Sequence, residues 1–209
     1  MQNFKDLNLL FQHLWQELST ACQTKGHPWQ YPTIANPVFW GDRVRAEQRM
    51  VVLRRCDDSF FRLFFHTDSR SAKYKQLQAN PELSWLFWNP ETGVQMRIQS
   101  EVTLHHQNEL SEKEWENTPV GSLKVYTQVL PSGSPLCYPE PPHVLEPDKH
   151  YTREEVSSGK PFFVLVEAQI SSIDWLCLHS TPQQRAVFKR NLHQQEHHPL
   201  SWEQNWVHP

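Results

Sequence analysis

The stretch from Arg49 to Lys73 constrains the fold more than any other. Arg49-Met50-Val51-Val52-Leu53-Arg54-Arg55 and Phe60-Phe61-Arg62-Leu63-Phe64-Phe65-His66 are two β-rich apolar runs, with the polar Asp57-Asp58-Ser59 between them, so the pattern predicts an antiparallel hairpin. The second run passes through Thr67-Asp68-Ser69-Arg70-Ser71 into a helical pattern that starts at Ala72. The hairpin therefore leads into a helix N-terminus, with Ser69 and Ser71 as candidate caps. Free N–H groups and the positive dipole end of a first turn favour acidic neighbours, yet this turn carries Arg70 and Lys73. A bound phosphate would satisfy both the amides and the cations. A capped, solvated helix whose basic residues face water is the alternative.

The remaining pattern is strand-rich. Phe4, Leu7, Leu10, Phe11, Leu14, Trp15 and Leu18 recur at helical spacing and predict an amphipathic helix over Phe4 to Cys22, ended by Lys25-Gly26-His27-Pro28. Short extended runs follow at Pro32 to Asn36 and Val38 to Trp40; after a turn at Gly41-Asp42, the chain runs from Val44 into a strand whose two faces are both apolar around Met50 to Leu53. The helix from Ala72 stops at Asn80-Pro81. Leu83 to Trp88 reads as a buried strand, and Val94 to Gln99 alternates, with Gln95, Arg97 and Gln99 turned from the core. Ser111 to Trp115 and Leu123 to Val129 read as short helices, and the proline-rich 131–147 stretch, with Tyr138 and His143, as a surface loop. Phe162 to Ile170 continues through a bulge at Ser171-Ser172 into Ile173 to Leu178; Arg185 to Phe188 returns, and Trp202, Trp206 and the terminal Val207-His208-Pro209 form a last strand.

With 209 residues and 38% hydrophobic content, one core and one domain over 1–209 are expected. A net charge of -3 argues against nonspecific nucleic-acid binding and for a small-molecule partner. The first residues lack a signal-peptide pattern and no apolar run is long enough for a bilayer, so a soluble cytoplasmic protein is expected. Cys22, Cys56, Cys137 and Cys177 form no Cys-x-x-Cys pair and read as reduced, mostly buried thiols. His193, Glu196, His197 and His198 lack a His-Glu-x-x-His pattern, so no metal is expected. Nine tryptophans point to a large interface as well as to a core.

The order Arg-Met-Val-Val-Leu-Arg, hairpin, His-Thr, Ser and Lys, then Gln95, Trp175, Arg185 and a closing Trp-Val-His-Pro, resembles the pyridoxamine 5'-phosphate oxidase-like FMN-binding split β-barrels, specifically their oxidase-related FMN-binding branch. The resemblance implies a mainly β fold with flanking helices, the split β-barrel, and a homodimer with FMN at the subunit interface. It implies FMN contacts from Arg49, Met50, Val51, Val52, Arg54, His66, Thr67, Arg70, Ser71, Lys73, Gln95, Trp175 and Arg185. Gln95 is suited to the polar edge of the flavin ring, and Trp175 with Arg185 to an aromatic wall and a fixed cation beside it. Arg54 stands where the family usually has Lys, which alters donor geometry.

The substrate side departs from the family. Aligned on Ser122, the family's phosphate-gripping Arg falls at Thr118 and its Tyr at Glu114; the Arg-Leu-His segment becomes Thr181-Pro182-Gln183, and an Arg beside the phosphate-site Lys becomes Ala72, with Arg70 nearby. Arg54 and Ser122 remain as residues toward substrate, and no catalytic acid or base is identified. The implied function is an FMN-dependent oxidoreductase with an altered pocket that takes a small molecule. Genuine pyridoxamine or pyridoxine 5'-phosphate oxidase activity and a noncatalytic flavin carrier or sensor are the alternatives.

Overall fold

The structure is a computed structural model that describes residues 3–137, 149–190 and 202–209. Tyr138, His143 and the group His193, Glu196, His197 and His198 lie outside the described residues. The elements in chain order are α1 (Leu7–Gln23), β1 (Thr33–Trp40), β2 (Arg43–Met50), β3 (Arg55–Asp57), β4 (Arg62–Asp68), α2 (Ala72–Ala79), β5 (Glu82–Asn89), β6 (Val94–His106), α3 (Glu109–Asn117), α4 (Val120–Leu123), β7 (Phe163–Cys177), β8 (Gln184–Arg190) and β9 (Trp202–Val207). The strands form one sheet in the order β2-β1-β5-β6-β7-β4-β3, with β8 on β7 and β9 on β8. The chain divides into two compact units, one of residues 1–65, 80–103 and 167–209, the other of 66–79 and 104–166.

In the first unit, Asp6 caps α1 by accepting from the Asn8 and Leu9 amides, and Leu10, Leu14 and Leu18 are fully buried along one face. Phe11, Trp15, Phe61, Phe188 and Trp202 form an aromatic cluster with centroids 5.1–6.4 Å apart. The predicted hairpin exists as β3 on β4, with Cys56 opposite Leu63. The strand expected over 49–55 does not: β2 ends at Met50, and 51–54 crosses outside the ladders, its amides donating to lone carbonyls (Val51 to Pro32, Leu53 to Gln30, Arg54 to Phe64). Met50 is 67% exposed, so the strand is not covered on both faces there. Leu83 to Trp88 is likewise not wholly buried, since β5 alternates and turns Leu86 and Trp88 outward.

In the second unit, Asn108 and Ser111 make a reciprocal capping box that starts α3. Trp115, Tyr126 and Phe163 pack edge to face at its core. The helix expected over 123–129 is instead α4 followed by a 3-10 turn at Lys124–Thr127. β7 continues through Ser171-Ser172, where the buried positions slip by one residue, as at the expected bulge. Of the four free thiols, Cys177 is buried, Cys22 and Cys56 are half-buried and Cys137 is exposed.

Candidate functional site

The anion-suited turn lies in the second unit. β4 ends with Thr67 and Asp68, and Ser71 Oγ sits at the start of α2, accepting from the Tyr74 amide at 3.3 Å while donating to the Asp68 carbonyl at 2.7 Å. Thr67 Oγ1 lies 3.3 Å from Ser71 Oγ, so two hydroxyls meet beside the helix start. No acidic residue occupies the first turn of α2, and Lys73 stands within it. Hydroxyls, first-turn amides and an ammonium group form a donor set suited to a phosphate monoester. Arg70 does not join this set. Its guanidinium bonds both oxygens of Asp68, at 2.7–3.2 Å, and the carbonyls of Gln128 (2.8 Å) and Tyr126 (3.3 Å), and it stacks 3.7 Å over Phe162. Its chemistry is that of a brace for the turn, because Asp68, two residues away, already supplies its counter-charge.

His66 is buried against Phe163, with ring centroids 4.7 Å apart, and its Nε2 lies 3.1 Å from Glu114 Oε1. The Glu114 carboxylate, at the family's Tyr position, is therefore held by His66. Thr118, at the family's Arg position, is 4% exposed and caps α3, its hydroxyl donating to the Glu114 carbonyl at 2.7 Å. Ser122 lies within the short α4, its backbone N–H donating to the Pro119 carbonyl at 2.8 Å.

The other candidates lie in the first unit. Arg49 is hydrogen-bonded to the buried Asn36 and ion-paired with Glu47 at 3.6 Å; burial pulls its pKa below the usual arginine value. Val51 is buried, whereas Val52 and Arg54 are half-buried, so 51–54 alternates without ladder pairing. Gln95 lies opposite Trp88, on the face away from buried Met96 and Ile98. Register extends this outer face: Met50 pairs with Thr33, Thr33 with Leu86 and Leu86 with Arg97. Asp174 accepts from Arg97 and from Arg185, whose Nε and Nη2 lie 3.0 and 2.8 Å away. Burial pushes the Asp174 carboxyl up, but hydrogen bonds from Arg185 and Arg97 outweigh it and hold the group below its usual range.

Trp175 and Arg185 are not brought together. Arg185 pairs with Leu176, and Trp175 with Ala186, so the two side chains leave opposite faces of the β7–β8 ladder. Trp175 is 2% exposed and packs edge-on against Phe4 and Trp206, where it is a core residue. Its expected place as a wall beside Arg185 is therefore corrected by strand alternation. Asp174 escaped the sequence reading as a site residue. For Asp174 the signal was available, since it lies two residues before Leu176, the residue that pairs with Arg185.

Among the described residues, no helix is long and apolar enough to cross a membrane and no three His, Cys, Asp or Glu side chains cluster to hold a metal ion.

A mainly antiparallel sheet with flanking helices places the chain among the split β-barrels. Within that class, residues 12–106 match the family described as pyridoxamine 5'-phosphate oxidase, FMN-binding domain. The matched stretch contains the turn at α2 and Gln95. Among solved structures, a pyridoxamine 5'-phosphate oxidase-related FMN-binding protein from Nostoc punctiforme superposes with a TM-score of 0.71 at 22% identity, covering 95% of this chain and 97% of its own. PhzG from Burkholderia lata, crystallised with tetrahydrophenazine-1-carboxylic acid, gives 0.65 at 15% identity over 100% and 98%. At these identities the likeness is one of fold. No curated protein matches the chain.

Proposed function

We propose that the protein is an FMN-binding flavoprotein that works as a homodimer, and that it is an FMN-dependent oxidoreductase whose substrate carries no phosphate. The observation that carries this reading is the family match over 12–106, the stretch that holds the hydroxyl, amide and ammonium donors at the start of α2. Thr67, Ser71 and Lys73 would hold the FMN phosphate there, with His66 fixed beside them by Glu114. In the first unit, Gln95 and the Asp174-braced Arg185 present an amide and a cation on the outer face, groups of the kind that suit the polar edge of a flavin ring. FMN when bound supplies hydride transfer; the side chains supply binding, orientation and charge.

The altered substrate pocket has its own support. Thr118 is a buried cap and Glu114 a carboxylate, so neither position offers a cation to a second phosphate. For the dimer, the support is the outer row of exposed apolar side chains, with Met50 67%, Leu86 41% and Trp88 43% exposed.

Release and identification of any yellow chromophore from the purified protein tests the cofactor, and an oxygen-consumption assay with pyridoxamine 5'-phosphate tests the pocket. Bound FMN without turnover of that substrate is the expected result. A protein that stays colourless in added FMN contradicts the reading, and turnover of pyridoxamine 5'-phosphate with peroxide release contradicts the altered pocket.

A further inference from the structure

We propose that Cys22 and Cys56 form an oxidisable dithiol in the first unit, a modification site independent of the flavin reading: hydrogen peroxide closes the pair to a disulfide and a dithiol reductant reopens it. Two elements bring the sulfurs together. Cys22 stands in the last turn of α1, three residues after Ser19 and so on the same side of the helix. Cys56 is the middle residue of β3, which ends the sheet order and packs against α1. Their contact is made twice. The Cys22 thiol donates to Cys56 Sγ, and the Cys56 backbone N–H donates to Cys22 Sγ. The Ser19 hydroxyl is a further donor to Cys56 Sγ.

This arrangement gives the two sulfurs different roles. The hydrogen bond from Cys22 holds the Cys56 thiol below its ordinary value against burial and Asp58, with Ser19 assisting and Asp57 opposing. Cys22 is pushed up, first by that same hydrogen bond and then by burial, with Arg55 opposing. Cys56 is therefore the attacking thiolate and Cys22 the resolving thiol. Both are half-buried, so a molecule as small as peroxide reaches them. The other two cysteines are placed differently: the buried Cys177 donates to the Thr92 carbonyl at 3.9 Å, and Cys137 belongs to the second unit.

The Cys56 thiolate attacks a peroxide oxygen and the O–O bond breaks, which leaves a sulfenic acid on Cys56 and a hydroxide that is protonated to water. The Cys22 sulfur then attacks the Cys56 sulfur, the S–O bond breaks, and a second water leaves with the Cys22 proton. Each sulfur gives up one electron, and one peroxide is reduced to two waters. The new bond staples α1 to β3 and closes a loop that contains β1, β2 and the 51–54 crossing, which restricts the unfolded chain.

The test treats reduced protein, freed of reductant, with hydrogen peroxide, unfolds it in N-ethylmaleimide and digests it with trypsin under non-reducing conditions. The expected product joins peptides 6–25 and 56–62, is lighter than their sum by two hydrogens and separates in dithiothreitol. The oxidised protein should also melt at a higher temperature than the reduced one. In Cys22→Ser, Cys56 should stop at the sulfenic acid and label with dimedone; in Cys56→Ser, Cys22 should stay a free thiol at the same peroxide dose. Absence of the joined peptides, linkage of either cysteine to Cys137 or Cys177, or dimedone labelling of Cys22 in place of Cys56 overturns the proposal. An unchanged melting temperature overturns the staple. The wild-type peptide map needs no substitution, so the test stands even if a serine variant does not fold.

Discussion

Asp174 answers two arginines, and this makes it the most informative single residue on the outer face. A carboxyl whose folded-state pKa is depressed contributes stability above its unfolded value, near 3.9, and loses it as pH falls through the folded value. Asp174→Asn is therefore expected to lower stability by about 1 kcal/mol at neutral pH, the modest size reflecting the solvent around partly exposed arginines. The difference should shrink as pH drops below 4. Urea melts of both proteins across that range check this, and a pH-independent difference would contradict the charge account. At this scale the sequence was a good guide to residue type and a poor one to pairing. Lys73 and Ser71 lie where the helix-start pattern put them, because capping is local. Arg70 was misread because its partner Asp68 was counted as part of the turn rather than as a counter-charge, and Glu114 meets His66 across 48 residues that no local pattern spans.

At the scale of elements, α1 was legible almost to its ends because a single buried stripe imposes the helical period. Leu14→Ala, at a position with no exposure, should cost about 2–5 kcal/mol, whereas Leu9→Ala, 60% exposed, should stay within about 0.5 kcal/mol; thermal denaturation of the pair compares them directly. Ser71→Ala should destabilise by about 1 kcal/mol, since the Tyr74 amide loses its acceptor, and should also weaken FMN binding. The strands were harder. Apolar residues at 51–54 could form a ladder strand or a buried crossing, and only the tertiary pairing of β2 with β1 decides that the ladder stops at Met50. β5 read as buried because Leu86 and Trp88 are apolar on its outward face, and hydropathy carries no sign of which face meets solvent.

For the whole molecule, that same outward apolar row is the argument for a second copy of the chain. Trp15, Trp29, Trp85, Trp115 and Trp175 are buried, while Trp40, Trp88 and Trp206 are 67%, 43% and 39% exposed, Trp88 on that row. Leu86→Glu combined with Trp88→Glu should halve the mass measured by light scattering on a sizing column and reduce FMN affinity along with it. A wild-type protein that runs as a monomer would remove the interface from the account.

The central claim is that the start of α2 holds the phosphate of FMN, and riboflavin, the same ring system without phosphate, isolates that contribution. Paired fluorescence titrations with FMN and riboflavin on wild type and on Lys73→Ala measure it directly. Wild type should prefer FMN at least tenfold, as a charge-assisted hydrogen bond of about 1.5–3 kcal/mol requires, and Lys73→Ala should remove most of that preference while leaving riboflavin affinity unchanged. Equal affinity for the two flavins in wild type, or an FMN preference that survives Lys73→Ala intact, would contradict it.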